Sequence, residues 1–151
     1  MVVRLNRQLG HGLLVAWLGA HSGILFAENK PVAPETIAGA TTLTAEEVVE
    51  LILSRPGLVI IDSRKKTEYL KGHIEGAISI LNTDMKPEDL SRVAANKNQA
   101  ILFYCNGIRC KRSSDAASKA AAWGYQNLYW YRGGWDEWME KRLPVVTDEK
   151  K

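Results

Sequence analysis

The amino-acid sequence predicts an α/β domain in which a mostly parallel sheet lies between two layers of helices. Apolar, β-branched or aromatic runs of four or five residues occur at 58–61, 100–104 and 127–131, as is typical of buried strands. Segments with helical character, among them 44–55 and 113–123, alternate with these runs. Strands that alternate with helices at this spacing pair in parallel, and the helices cover both faces of the sheet.

The first predicted helix begins at a capping box. Thr44 can accept from a backbone N–H of the first turn, and Glu47 can reach back to the Thr44 amide. Pro56-Gly57 ends this helical segment. The other predicted elements are a short helix at 65–71, a glycine-punctuated turn and strand at 72–80, a helix at 87–94, and a short final helix after the glycine pair at 133–134.

The first 27 residues have the pattern of a secretory signal peptide. Arg4 and Arg7 precede an apolar stretch, and Ala27 is a small residue at the expected cleavage point. Export to a bacterial periplasm is therefore expected, with a membrane anchor facing the periplasm as the main alternative and a buried helix as a third. The predicted organisation is a signal or anchor at 1–27, a linker or lead-in at 28–41, one domain at 42–146 and a polar tail at 147–151.

Composition excludes some classes of function. Residues 1–27 contain two arginines and no acid, so 18 basic and 17 acidic side chains remain of the chain's 20 and 17. A nearly neutral domain gives no indication of nucleic-acid binding. After residue 27 the chain has one histidine, His73, and two cysteines, which are too few for an obvious structural zinc site. No metal or other cofactor is expected.

Both cysteines lie in the turn between the strand at 100–104 and the helix that starts near Ser113. Cationic side chains and helix N-terminal amides favour the thiolate, which is the reactive form of cysteine. Cys105 is therefore the candidate nucleophile, in a loop whose amides can form an anion-binding nest with Gly107 at positive φ. The candidate substrate-binding residues are Asn106, Gly107, Ile108, Arg109, Lys111 and Arg112.

The alternative interpretation of this loop is structural. In an oxidising compartment Cys105 and Cys110 can form a disulfide that only pins the turn. Four residues lie between the two cysteines, so the chain entropy removed by the bridge is small, about 2 kcal/mol. The residues alone leave both interpretations open.

Five groups of residues, in order and at suitable intervals, resemble those of a single-domain rhodanese, a thiosulfate sulfurtransferase. The resemblance extends over about 42–146. The groups are Asp62-Ser63-Arg64, the glycine-rich run from Gly72 to Ile78, Tyr104-Cys105, Gly124-Tyr125 and the segment from Gly133 to Trp138.

The resemblance implies a rhodanese-like three-layer α/β domain that uses no cofactor. It implies that Cys105 takes a sulfane sulfur from thiosulfate or a related donor and passes it, as a persulfide, to cyanide or a thiol. Asp62, Arg64 and His73 match positions that maintain structure around the site. Locally, we expect a turn or cap at Asp62, a surface ion pair between Arg64 and Glu68, and a packing role for His73.

The active-site loop departs from the usual family pattern. A basic residue normally lies five positions after the cysteine, whereas Cys110 occupies that position here. Because the Arg-Ser pair comes at Arg112-Ser113, the loop is expected to be two residues longer than usual, with a second cysteine inside it. It resembles that of a bacterial subset with Cys-Asn-Gly-x-x-Cys. We hypothesise that Cys110 is a resolving thiol that attacks the Cys105 persulfide.

Two further classes of function remain as alternatives. A phosphatase or arsenate reductase needs five residues between its cysteine and an arginine, but Cys105 has three before Arg109 and six before Arg112. A non-catalytic sulfur carrier or a thiol–disulfide redox protein is not separated from an enzyme by these residues. The expected partners are small sulfur-containing anions, thiol or cyanide acceptors and a transient redox partner, and the protein is expected to be a monomer.

Overall fold

The computed structural model describes residues 31–148, so the predicted signal or anchor segment and most of the polar tail lie outside the described residues. Strands and helices alternate along the described chain in the predicted order. They are β1 (Ala40–Leu43), α1 (Ala45–Ser54), β2 (Val59–Asp62), α2 (Lys66–Lys71), β3 (Ala77–Ser79), α3 (Pro87–Val93), β4 (Ile101–Tyr104), α4 (Arg112–Ala122), β5 (Leu128–Tyr131) and α5 (Gly134–Glu140).

The strands form one sheet in the order β1-β5-β4-β2-β3, and every pair of neighbouring strands is parallel. This confirms the predicted α/β class. β4 is the central strand, and all four of its residues are buried, as its uninterrupted apolar and aromatic sequence requires. Because the strands are parallel, the segments that follow β2, β4 and β5 meet at one edge of the sheet.

Helices cover both faces of the sheet and produce three layers. Alternate side chains of β4 belong to different cores, so that Phe103 packs with one layer of helices and Tyr104 with the other. The first core takes Leu90 of α3 and the alanines of α4, and the second takes Val48 of α1 and Trp138 of α5. The small alanines let α4 lie close against the central strands.

The start of α1 has the predicted capping box. The Glu47 amide donates to the Thr44 hydroxyl oxygen at 3.3 Å, and the Thr44 amide donates to the Glu47 carboxylate at 2.8 Å. Within residues 31–148, no helix has the length and apolarity needed to cross a membrane.

The chain before β1 packs on the domain. Ala33 and Ile37 are buried in the first core. The Ala33 amide donates to the Ile108 carbonyl oxygen at 2.7 Å, and the Arg132 Nε–H donates to the Pro34 carbonyl oxygen at 2.8 Å. The segment predicted as a linker or lead-in is therefore a strap that contacts the loop carrying both cysteines.

Candidate active site

Cys105 directly follows the central strand β4, and only 2% of its surface is exposed. The Ser113 hydroxyl donates to Cys105 Sγ at 3.2 Å, and the Trp130 Nε1–H donates to the Ser113 oxygen at 3.0 Å. Because the indole N–H is directed at the hydroxyl oxygen, the hydroxyl hydrogen is left to point at the sulfur. A donor in this position stabilises a thiolate more than a neutral thiol.

Cys105 and Cys110 are joined by a disulfide, and their Cα atoms lie 6.4 Å apart. Cys110 is half-buried and lines a surface cleft, whereas Cys105 lies behind it. The Arg112 Nε–H donates to Cys110 Sγ at 3.2 Å, so a positive charge adjoins the more accessible sulfur. The bridge predicted as the structural alternative is thus present, and in this state Cys105 has no free thiolate.

The cleft next to Cys110 has a volume of about 510 Å³. The sequence predicts a cationic loop here, and Arg109 and Lys111 are indeed exposed at the cleft. The fold adds carboxylates from three helices to the same cleft. Three basic side chains (Arg109, Lys111 and Arg112) and three acidic ones (Glu68, Asp115 and Asp136) line it.

Glu68 of α2 contacts Asn106 in the cysteine loop and Arg112 at the start of α4. Its carboxylate accepts from the side-chain amide of Asn106 at 2.8 Å and lies 3.6 Å from the Arg112 guanidinium. Arg112 also donates to the side-chain oxygen of Asn106. Burial opposes ionisation of Glu68, but the hydrogen bonds from Asn106 and the Lys65 amide, together with the charge of Arg112, lower its pKa below the usual value. Glu68 is therefore ionised at neutral pH.

The predicted positive φ at Gly107 is wrong, since the left-handed glycines of the described chain lie elsewhere. Gly107 is needed for close packing instead. A Cβ there would lie 2.8 Å from Asp136 Oδ2 and 3.1 Å from the Gly133 carbonyl oxygen. The sequence shows the glycine but not the element that approaches it.

The start of α5 packs against the backbone of the cysteine loop. The Trp135 amide donates to the Cys105 carbonyl oxygen at 2.8 Å, and the Asp136 amide donates to the Asn106 carbonyl oxygen at 2.7 Å. Amides of a helix's first turn have no partner within the helix, so the loop carbonyls satisfy them. Gly134, with φ of +57°, lies so close that a Cβ there would clash with the Cys105 carbonyl oxygen.

A buried ion pair lies beside the loop. Arg64 donates to Asp62 Oδ2 at 2.6 Å and to the Gly72 carbonyl oxygen at 2.7 Å. The predicted surface ion pair between Arg64 and Glu68 is wrong, because only 2% of Arg64 is exposed and its guanidinium points inward to Asp62. The backbone amide of Arg64 also donates to Asp62 Oδ1 at 2.9 Å, which is the local turn expected at Asp62.

Tyr104, the residue before Cys105, completes this network. Its hydroxyl donates to Asp62 Oδ2 at 2.6 Å and accepts from the Ile74 amide at 3.2 Å. Burial, and then the nearby charge of Asp62, raise the pKa of Tyr104 far above its ordinary value, so the phenol stays protonated and remains a donor.

His73 is only 4% exposed, and its neighbours Tyr69 and Ile74 belong to the second core. Its ring stacks on Tyr69 with centroids 3.7 Å apart, and its Nδ1 lies 3.0 Å from the Tyr69 carbonyl oxygen. These contacts, with the backbone bridge to Val146, keep the ring among packed side chains.

The prediction from the sequence omitted Ser113, Trp130 and Gly134, and it paired Glu68 with the wrong arginine. A serine at the start of the helix after the cysteine was the one local indication of a donor to the sulfur. Trp130, Gly134 and Glu68 make their contacts with segments that are distant in the chain, which a local pattern does not show.

Removing the Ser113 hydroxyl is expected to slow the chemistry of Cys105. In the reduced Cys110→Ser background, Ser113→Ala should slow alkylation of Cys105 by iodoacetamide at pH 7 about tenfold or more, because a hydrogen bond to a charged group is worth about 1.5–3 kcal/mol. Ser114→Ala is the matched control, since the Ser114 hydroxyl donates to the Lys111 carbonyl oxygen and not to the sulfur. Equal rates in the two variants would contradict the role of Ser113.

Gly134→Ala should lower the free energy of unfolding by more than about 1–2 kcal/mol, which is the cost of placing an alanine in the left-handed backbone conformation. The loss should be larger because the added Cβ also meets the Cys105 backbone. Gly124→Ala is the control, since Gly124 has φ of +89° and no atom within 4 Å of its Cβ position. Denaturant unfolding measures both variants. If the two lose the same stability, close packing of α5 on the loop does not depend on Gly134.

Comparison with known sequences gives a family. The rhodanese-like domain model matches residues 44–141. The uncharacterized protein YibN of Escherichia coli (strain K12) is 24% identical over 135 residues, which cover 89% of each chain. A tRNA uridine(34) hydroxylase of Erwinia tasmaniensis is 34% identical over 119 residues, but the match covers 71% of the present chain and only 31% of the hydroxylase.

Solved structures share the fold. The human single-domain sulfurtransferase TSTD1 has a TM-score of 0.57 at 25% identity, with 68% of the present chain and 98% of that chain covered. Thiosulfate sulfurtransferase from Pseudomonas aeruginosa has a TM-score of 0.59 at 22% identity, with 76% of the present chain and 21% of that chain covered. The parallel sheet, the cysteine at the end of its central strand and the family match over 44–141 lead to one conclusion: the chain belongs to the rhodanese-like domain family.

Proposed function

We propose that the protein is a sulfurtransferase that carries a sulfane sulfur as a persulfide on Cys105. The observation that carries this proposal is the Ser113 hydroxyl directed at Cys105 Sγ, 3.2 Å away, at the carboxyl end of the central strand. This arrangement favours a thiolate in a position where α/β folds bind ligands. The sulfurtransferase names of the two structural neighbours support the same chemistry.

In the first half-reaction, the Cys105 thiolate attacks the outer sulfur of thiosulfate or a related donor. A bond forms between the two sulfurs, and the donor's sulfur–sulfur bond breaks with its electron pair leaving on sulfite. The products are a persulfide anion on Cys105 and free sulfite, so charge and atoms balance. Arg109 and Lys111, exposed at the cleft, are the cations that attract the anionic donor.

In the second half-reaction, cyanide or an acceptor thiolate attacks the outer sulfur of the persulfide. The Cys105 thiolate leaves and is stabilised again by the Ser113 hydroxyl, so that the same donor serves both steps.

Cys110 offers a second route for the persulfide. The persulfide anion first takes a proton from water. The Cys110 thiolate then attacks Cys105 Sγ, the new sulfur–sulfur bond forms the disulfide, and the outer sulfur leaves with that proton and the electron pair of the broken bond as hydrosulfide. A disulfide between Cys105 and Cys110 is the product expected of this step, and the Arg112 Nε–H, 3.2 Å from Cys110 Sγ, favours the thiolate form of Cys110. A dithiol reductant must then supply two electrons to restore both thiols.

Thiol–disulfide exchange without sulfur transfer is the second candidate function, favoured by the disulfide itself. We place either function in the periplasm, on the signal-like pattern of residues 1–27. In that compartment the disulfide persists until a partner reduces it.

Transfer of sulfur from thiosulfate to cyanide by the reduced protein is the first test. Cys105→Ser should abolish thiocyanate formation because the nucleophile is lost, whereas reduced Cys110→Ser should retain it. Absence of thiocyanate, persulfide and sulfide with every small donor, in fully reduced wild-type protein and in reduced Cys110→Ser, would rule out the enzyme and favour the redox protein.

The resolving role of Cys110 predicts a difference in persulfide yield. After treatment with thiosulfate, reduced Cys110→Ser should accumulate more protein with one added sulfur atom on Cys105 than the wild type, which should release sulfide and become oxidised. Intact-mass and peptide mass spectrometry measure both species. Equal accumulation in the two proteins would exclude the resolving step.

A further inference from the structure

Glu68 is the residue by which α2 reaches the active-site cleft. Its Oε1 accepts from Asn106, and its Oε2 lies 3.6 Å from Arg112 Nη1. Asn106 belongs to the loop between Cys105 and α4, and Arg112 is the first residue of α4. Glu68 is thus bound to the segment that, on the proposed function, receives the sulfur donor.

This contact places a negative charge beside the arginine best situated to bind an anion. Arg112 touches Cys110 Sγ through Nε, Asn106 through Nη2 and Glu68 through Nη1. The guanidinium is therefore compensated by a carboxylate and directed into the loop rather than left open to a ligand.

The remaining charges of the cleft also cancel in number. Arg109 and Lys111 are matched by Asp115 and Asp136, so the six charged side chains that line the cleft sum to a formal charge of zero. Among the described residues, Glu68 is the one of these three carboxylates that forms an ion pair with a basic side chain of the cleft, Arg112.

We propose that Glu68 is a specificity-determining residue that weakens the binding of dianionic sulfur donors relative to monoanionic ones. The proposal rests on the assignment of this cleft as the donor site. Coulomb energy is proportional to the charge of the ligand, so the same carboxylate repels a dianion twice as strongly as a monoanion at the same position. Glu68 accordingly shifts the preference of the site away from thiosulfate and towards singly charged donors of the persulfide or thiosulfonate type.

This scaling gives a test that separates charge from structure. Thiosulfate carries two negative charges, and an alkanethiosulfonate has the same sulfane sulfur with one. With the distances and partial exposure of this cleft, replacing Glu68 by glutamine should raise the binding affinity for a monoanion about threefold and for a dianion about tenfold. Glutamine keeps a side-chain oxygen that can accept from Asn106.

Binding is measured by calorimetry in protein with both Cys105→Ser and Cys110→Ser, which has no thiol left to take sulfur from the donors. Thiosulfate and methanethiosulfonate are titrated into this protein and into the same protein carrying Glu68→Gln. Glu75→Gln is the matched control, since it removes one exposed carboxylate that does not line this cleft. It should change neither affinity, and high salt should reduce the effect of Glu68→Gln.

The expected result is that Glu68→Gln binds both donors more tightly than the parent protein does, with the larger gain in affinity for thiosulfate. Equal gains, weaker binding of both, or no measurable binding before or after the substitution would overturn the proposal. Sulfur transfer by the wild-type protein is measured separately. If the wild type transfers no sulfur but Glu68→Gln still binds thiosulfate with the larger gain in affinity, the proposed function is wrong and the role of Glu68 stands. If the wild type transfers sulfur and the gain in affinity does not depend on donor charge, the role of Glu68 alone is wrong.

Discussion

The active-site edge of the sheet depends on the buried pair of Asp62 and Arg64. Breaking such a pair is costly, because the remaining charge loses both its partner and its access to water. Here the hydrogen bonds among Asp62, Arg64, Tyr104 and Gly72 satisfy the pair, and the Arg64 guanidinium lies 4.2 Å from the centre of the Trp135 ring. The pair therefore links β2, the end of β4, the turn after α2 and the start of α5.

Each of those elements supplies part of the site. Tyr104 directly precedes Cys105, and Trp135 follows the glycine that touches the Cys105 carbonyl oxygen. Once the pair fixes these segments, the first amides of α5 hold the loop backbone from one side. The side chains of Cys110 and Arg112 are then presented to the cleft on the other side. A rigid support below a small reactive loop is the arrangement that nucleophilic catalysis needs.

The features that the sequence predicted are those decided by local pattern. Apolar runs defined the strands, a capping box defined the start of α1, and the order of strand, cysteine and helix placed Cys105 directly after β4. The features it missed depend on which distant segments meet. Trp130 donates to Ser113 from 17 residues away, and Asn106 donates to Glu68 across 38 residues. The sequence also overestimates the positive charge around the cysteine loop, because the fold places carboxylates of three helices next to its basic side chains.

The two cysteines illustrate how one loop can support two chemistries. Cys105 is buried and has a hydroxyl donor, which suits a sulfur that must be held as a thiolate between transfers. Cys110 is more accessible and adjoins Arg112, which suits a sulfur that meets an external thiol. Because attack on a disulfide favours the accessible sulfur and the better-stabilised leaving thiolate, a reductant should approach Cys110 and release Cys105. On the proposed function, the hydroxyl that favours sulfur transfer also directs the reduction that precedes it.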